Sequence, residues 1–145
     1  MSLAIVYTRA ALGIEAPLIT IEVHLSSGLP GLTMVGLPET TVKEARDRVR
    51  SALINSGYAF PAKKITINLA PADLPKEGGR YDLPIALALL VASEQLNTTR
   101  LNQYEFVGEL ALTGGLRGVP GAIPSAMEAI KAGRRIVVSS DNAAE

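Results

Sequence analysis

Apolar and polar residues alternate with a period of two along the first part of the chain. Residues 3–9 have a strand-like composition, and residues 17–25 place His24 on the polar face of a second strand. A third apolar run, "LTMVGL", follows the turn sequence "SSGLPG". We expect these three strands to form an antiparallel meander with one solvated face. The apolar face of the second strand consists of Ile19, Ile21, Val23 and Leu25.

The pattern then changes to a helical period. Thr41 and Glu44 have the spacing of a capping box at the start of this helix, and Gly57 is placed to end it in a left-handed conformation. Glu44 and Arg48 also have the spacing of a favourable ion pair on one helix face. The apolar face of this predicted helix contains Val42, Ala45, Val49, Ala52 and Leu53.

Two more helices are predicted further along the chain. The segment "LPIALALLVASEQL" is apolar on nearly all sides, which is typical of a buried helix. In "IPSAMEAIKAG" the apolar stripe is Ile123, Met127 and Ile130, and we expect it to face the core. Strands are predicted in "KKITINLAP", "FVGELALTG" and "RRIVVSS".

The order of elements, roughly β-β-β-α-β-α-β-β-α-β, predicts an α+β fold, an α/β sandwich of a mixed sheet and about three helices. With 145 residues the chain is expected to form a single domain over 1–145 with a real hydrophobic core. "DNAAE" is typical of the start of another element, with Asp141 or Asn142 as its N-cap, so we expect a piece of a longer protein.

Composition narrows the function classes. Basic and acidic residues balance at 14 each, so any binding to nucleic acid needs a local patch. The chain has no cysteine, which excludes disulfides and thiolate metal sites, and its lone histidine, His24, disfavours a histidine metal site. The run "IALALLVA" is too short to span a membrane. We expect a soluble, cytoplasmic protein.

The glycine-containing stretch "PKEGGRYDLPIALALL", residues 75–90, is the first candidate site. It lacks the lysine followed by serine or threonine that a phosphate-binding loop requires, so nucleotide binding here is disfavoured. Asp73 and Asp82 bracket the loop, but carboxylates beside Lys76 and Arg80 are more often ion-paired than metal-bound. Glu109, within a strand, is expected to face solvent or to pair with Arg80 or Arg117.

Basic residues are clustered locally. Several of them converging on one rim would bind phosphates. Lys43, Arg46 and Arg50 share one side of the first helix, and the candidates at loops and element ends are Lys63, Lys64, Lys76, Arg80, Arg117 and Arg134.

Three long strings carry a family resemblance. They are "YTRAALGIEAPLITIEVHLSSGLPGLTMVGLPETTVKEARDRVRSALINSGYAFP", "ITINLAPADLPKEGGRYDLPIALALL" and "GELALTGGLRGVPGAIPSAMEA". Together they resemble the N-terminal domain of the ComM/YifB group of magnesium-chelatase-like AAA+ proteins, over essentially the whole chain.

The resemblance implies a Lon-protease-like fold, related to the second domain of ribosomal protein S5. It also implies a following AAA+ ATPase domain, absent from this chain, that would bind ATP and magnesium. The implied function of the full-length protein is that of a homo-hexameric helicase. Such a helicase drives branch migration of single-stranded or branched DNA in natural transformation and homologous recombination. This domain would assist assembly or contact DNA and would hold no cofactor itself.

Lon-type peptidases use a serine and a lysine, and the resemblance places these positions at Asp82 and Ile123. A carboxylate cannot form the acyl-enzyme, and an isoleucine cannot act as a base. We therefore expect no catalytic residues here. We expect Asp82 to cap the following helix, with Arg80 as its neighbour. The alternatives are a Lon-like serine–lysine peptidase, disfavoured by the missing dyad, and a purely structural domain that contacts other subunits.

Overall fold

The computed structural model describes residues 2–142. Its strands are β1 (Leu3–Arg9), β2 (Leu18–Ser26), β3 (Gly31–Val35), β4 (Lys64–Ala70), β5 (Tyr104–Phe106), β6 (Glu109–Leu110), β7 (Leu116–Arg117) and β8 (Arg135–Val137). A six-stranded mixed sheet with the order β3-β4-β2-β1-β5-β8 forms the centre, and β6 and β7 form a separate two-stranded hairpin. The helices are α1 (Glu39–Asn55), α2 (Asp82–Ala92) and α3 (Ala122–Lys131). This architecture confirms the predicted α+β class with three helices.

The core lies between the sheet and helices α1 and α2. The alternating apolar face of β2 is buried as predicted, with Ile19, Ile21 and Val23 fully inaccessible, and the opposite face carries the exposed His24. Helix α2 buries eight of its eleven residues, which explains why its sequence is apolar on nearly all sides. Helix α3 instead packs against β8, at the edge of the sheet.

The predicted three-stranded meander is wrong. β1 and β2 are antiparallel, but β4 lies between β2 and β3, and β3 pairs with β4 in parallel. A parallel pair requires a crossover connection, and α1 provides it. Alternation of side chains identified the three strands, but it carries no information about which strand pairs with which.

The predicted capping box of α1 is also wrong. The helix begins at Glu39, two residues before Thr41, and its N-cap is Pro38, without a side-chain capping hydrogen bond. Proline fixes the backbone before the first turn, so the helix starts ahead of the Thr41–Glu44 pair. The other end agrees with the prediction, since Gly57 follows the helix with φ of +89°.

The apolar stripe of α3 faces the opposite way from the prediction. Ile123, Met127 and Ile130 are 52%, 56% and 70% exposed. The buried face of the helix instead carries Ala122, Ser125 and Ala129. Small side chains let a helix approach its neighbours closely, and they leave the larger residues on the outside. None of the helices within residues 2–142 is long and apolar enough to cross a membrane.

Candidate functional site

The start of α2 holds a buried ion pair. Asp82 is the first residue of the helix, and its carboxylate is inaccessible to solvent. It accepts hydrogen bonds from Arg48 Nε at 2.6 Å and Nη2 at 3.2 Å, and from the backbone N–H of Leu110 at 3.1 Å. Asp82 therefore connects α2 to α1 and to the β6–β7 hairpin.

This geometry corrects the prediction for Asp82. Tyr81 is the N-cap of α2, and no side chain makes a capping hydrogen bond there. The neighbouring cation is Arg48 and not Arg80. Asp82 bridges three elements and does not cap its own helix, because the first-turn N–H groups of Asp82 and Leu83 already donate to the carbonyl oxygens of Gly79 and Gly108.

Burial determines the protonation of this pair. Desolvation raises the pKa of Asp82 to about 6, and the hydrogen bond and charge of Arg48 oppose that rise. The hydrogen bond with Asp82 in turn raises the pKa of Arg48. At neutral pH both groups are charged, and the pair is intact.

Arg80 and Lys76 lie in the interior of the domain and not at its surface. Each is only 4% exposed. Arg80 donates to the carbonyl oxygens of Arg9 and Pro120 and, through Nη2, to Ser125 Oγ at 3.0 Å. Lys76 Nζ donates to the carbonyl oxygens of Pro71 and Leu74. The predicted contact role is corrected for both residues, because their donors are used in holding loops.

The two positions that the family resemblance assigns to a peptidase dyad are not joined into a catalytic pair. Asp82 is bound by Arg48, and Ile123 is half exposed on α3. The nearby buried serine, Ser125, accepts a hydrogen bond from Arg80, which is a positively charged donor and not a base.

Two buried hydroxyls of the described residues, on Thr8 and Tyr81, have no hydrogen-bond partner. Burial raises the pKa of Tyr81 to about 12, so that phenol stays protonated.

Three of the predicted contact residues are exposed, and one is engaged elsewhere. Lys63 and Lys64 are exposed at the beginning of β4, and Arg117 is exposed on β7 opposite Glu109. Arg134 is bound inside the fold: its Nη1 is 3.0 Å from Glu105, and its guanidinium lies 4.0 Å from the centre of the Tyr7 ring.

A basic cleft of about 500 Å³ lies at the β3–β4 edge of the sheet. Helix α1 contributes Arg46 and Arg50 to its lining, and the loop into β4 contributes Phe60 and Lys63. The Arg50 guanidinium is 5.9 Å from the centre of the Phe60 ring. We call this the Arg46–Lys63 cleft. Sequence reasoning noted the helical arginines and Lys63 separately, and it missed Phe60 and the convergence.

A second, larger cleft of about 910 Å³ meets the first. The two share Pro61, Ala62 and Lys63, and the second extends to His24 and Ser26 on β2. Residues 2–142 contain no group of three or more histidine, aspartate and glutamate side chains arranged to hold a metal ion.

The fold and the sequence together define a magnesium-chelatase-like α+β domain. The family described as "Subunit ChlI of Mg-chelatase" matches residues 21–142, which is most of the chain. The chain therefore belongs to this family.

Particular relatives narrow the comparison. The chain is 65% identical over 145 residues, its full length, to "Competence protein ComM" of Haemophilus influenzae. It is 82% and 80% identical to "Uncharacterized protein YifB" of Salmonella typhimurium and of Escherichia coli, over 100% and 98% of this chain. The chain spans only 28–29% of the length of these relatives. The resemblance to the ComM/YifB group is thus confirmed.

Proposed function

We propose that this chain is the non-catalytic N-terminal domain of a ComM-like AAA+ protein of the cytoplasm. The full-length protein would be a homo-hexameric, ATP-driven helicase that promotes DNA branch migration in natural transformation and homologous recombination. The observation that carries the proposal is the 65% identity to a competence protein over the entire chain. The domain would assist assembly, contact DNA, or both.

ATP and magnesium belong to another part of the protein in this proposal. The glycine-containing loop of this chain does not fit a nucleotide, because the glycines at 78 and 79 are followed by Arg80, Tyr81 and Asp82 and not by the lysine and hydroxyl of a phosphate-binding loop. Arg80 is buried, and Asp82 is paired with Arg48, so neither is free to hold a phosphate or a metal ion. In this proposal the chemistry of ATP hydrolysis is assigned to the AAA+ domain.

The experiment uses a naturally transformable bacterium that encodes the full-length protein. The gene is deleted and restored either whole or without the segment for residues 1–142. Transformation frequency is measured with a marker on a long heterologous insert, and uptake of labelled DNA serves as the control. The deletion strain and the strain with the shortened gene are both expected to take up DNA normally but to integrate it less often. Transformation at the wild-type frequency in the full deletion would overturn the proposal.

One observation favours a second candidate, a domain that only contacts other subunits. The exposed face of α3, formed by Ile123, Met127 and Ile130, is an apolar stripe on a helix. Under this alternative the stripe meets a second copy of the protein. Replacing the three residues with threonine or glutamine would then lower the sedimentation coefficient of the full-length assembly, and Lys131→Glu on the same helix would not.

A further inference from the structure

We propose that the Arg46–Lys63 cleft binds single-stranded DNA, with Phe60 as a stacking surface for a base. This inference rests on the proposed function and assigns it a place on the domain. Four side chains carry the argument: Arg46, Arg50, Phe60 and Lys63.

The cleft concentrates positive charge on a protein whose total charge is zero. Its ionisable lining residues are Arg46, Arg50 and Lys63 against one carboxylate, Asp47. The nearest Arg46–Asp47 distance is 3.7 Å, and the two side chains are 41% and 63% exposed. Such an exposed pair is weak and competes poorly with a phosphate. The cleft is therefore a local anion-attracting surface.

The local sequence explains why these residues converge. Arg46 and Arg50 are four residues apart on α1, so they lie on one face of the helix. The chain turns at Gly57, and the segment that leads from there into β4 brings Phe60 and Lys63 to the same cleft. The cleft therefore combines a rigid helix with the start of a strand.

The aromatic ring favours a single strand over a duplex. Proteins that bind single strands combine a basic groove with aromatic side chains on which unpaired bases stack. Phe60 packs in part against the core and is partly exposed, and the Arg50 guanidinium lies over its ring at 5.9 Å from the ring centre. A base stacks on this ring when the Arg50 guanidinium turns to a phosphate of the same strand. Stacked bases within a duplex cannot use such a ring. The neighbouring cleft continues past Lys63 to His24 and Ser26, which offers further polar contacts to a longer strand.

The test is fluorescence anisotropy of the chain with labelled oligo-dT, over a range of salt concentrations. Variants are charge reversal at Arg46, Arg50 and Lys63 together, the corresponding glutamine triple, and Phe60→Leu. Arg135→Glu is the matched control, because Arg135 is an exposed arginine on β8, at the opposite edge of the sheet. Circular dichroism shows which variants fold. If the charge-reversal variant does not fold, the glutamine triple variant is used in its place.

The two kinds of variant have different expected signatures. The triple variants should reduce the slope of log K against log salt by about 2, since each phosphate contact on a single strand contributes about 0.7. Phe60→Leu should weaken binding about 5- to 140-fold and leave the slope unchanged. Duplex DNA should bind more weakly than oligo-dT and be insensitive to Phe60→Leu.

Three results would overturn the inference. They are absence of oligo-dT binding by the folded wild-type chain, equal losses in the triple variants and in Arg135→Glu, and a duplex preference unaffected by the cleft variants. These outcomes are distinct from failure of the proposed function. A gene deletion without a transformation defect would contradict the proposed role in transformation. Binding of oligo-dT at the cleft is measured separately and would be unaffected by that result.

Discussion

At the scale of single residues, Asp82 shows how burial changes the role of a carboxylate. Its side chain is inaccessible and bound by Arg48, and its pKa is raised to about 6 because desolvation exceeds the effect of that partner. A folded-state pKa above the unfolded value of 3.8 means that the folded protein holds the proton more tightly. The stabilisation from this group is thus present at low pH and is lost as the pH rises through about 6.

Asp82→Asn should therefore change the pH dependence of stability. Relative to this variant, the wild-type chain should lose about 1.4 kcal/mol of its free energy of unfolding between about pH 5 and about pH 7.5. Urea unfolding of both proteins at the two pH values measures the difference. Glu44→Gln, which removes an exposed carboxylate from α1, is the control and should show a smaller change. A constant difference between wild type and Asp82→Asn would contradict the raised pKa.

A second residue-scale prediction concerns two glycines that both have positive φ. Gly36 has φ of +100°, and a Cβ there would overlap the backbone carbonyl of Leu69. Gly57 has φ of +89°, and a Cβ there would meet nothing within 4 Å. Gly36→Ala should cost about 2–4 kcal/mol, through strain and overlap together. Gly57→Ala should cost only about 1 kcal/mol.

Thermal or urea unfolding of the two alanine variants compares these costs directly. The pair is matched in substitution and in backbone conformation, so the difference isolates the contact with β4. Equal destabilisation of the two variants would mean that the chain between β3 and α1 moves away from Leu69 without cost.

At the scale of elements, α3 is where pattern and structure disagree most. The sequence pattern predicted a helix here and the structure contains one, yet the apolar stripe that was expected to face the core is exposed. Periodicity identifies an apolar face, but it does not say whether the partner of that face lies in the same chain. The small residues of the other face make the contact, and Arg9 adds a hydrogen bond from Nη2 to the Glu128 carbonyl.

This arrangement predicts an inverted response to substitution on α3. Changing Ile123, Met127 and Ile130 to polar residues should alter the free energy of unfolding of the isolated chain by less than about 0.5 kcal/mol each. Ala129→Leu, on the fully buried face, should cost about 1–3 kcal/mol through overpacking. Melting temperatures of the four single variants test this. Strong destabilisation by the polar variants would mean that the stripe is part of the core.

For the other elements, the sequence predicted their type but not which strands pair. The strands with strict alternation and the apolar helix α2 follow from sequence because each buries a face that its own residues define. The parallel pairing of β3 with β4 did not follow, since it depends on a partner some thirty residues away. The candidate site divides in the same way. Lys63 was identifiable as an exposed base, but its meeting with Arg46, Arg50 and Phe60 depends on the packing of α1 against the sheet.

At the scale of the whole molecule, one buried network joins the beginning and the end of the chain. Arg9 on β1 donates to both oxygens of Glu105 on β5, at 2.7 and 2.9 Å, across 96 residues of sequence. Arg134, next to β8, binds the same carboxylate at 3.0 Å. Glu105 is inaccessible, whereas the side chain of Arg134 is 20% exposed. No local pattern predicts a pair so distant in sequence.

The network should be cooperative because its central carboxylate neutralises a buried arginine. Glu105→Ala leaves Arg9 buried without its partner and should cost about 3–5 kcal/mol in the free energy of unfolding. Arg134→Ala should cost about 1 kcal/mol, since solvent screens that pair and Arg9 remains bound. The double variant Arg9→Met with Glu105→Leu should be more stable than Glu105→Ala, because it removes both buried charges. Urea unfolding measures all three variants, and equal costs for Glu105→Ala and Arg134→Ala would show that the carboxylate does not hold the two ends of the chain together.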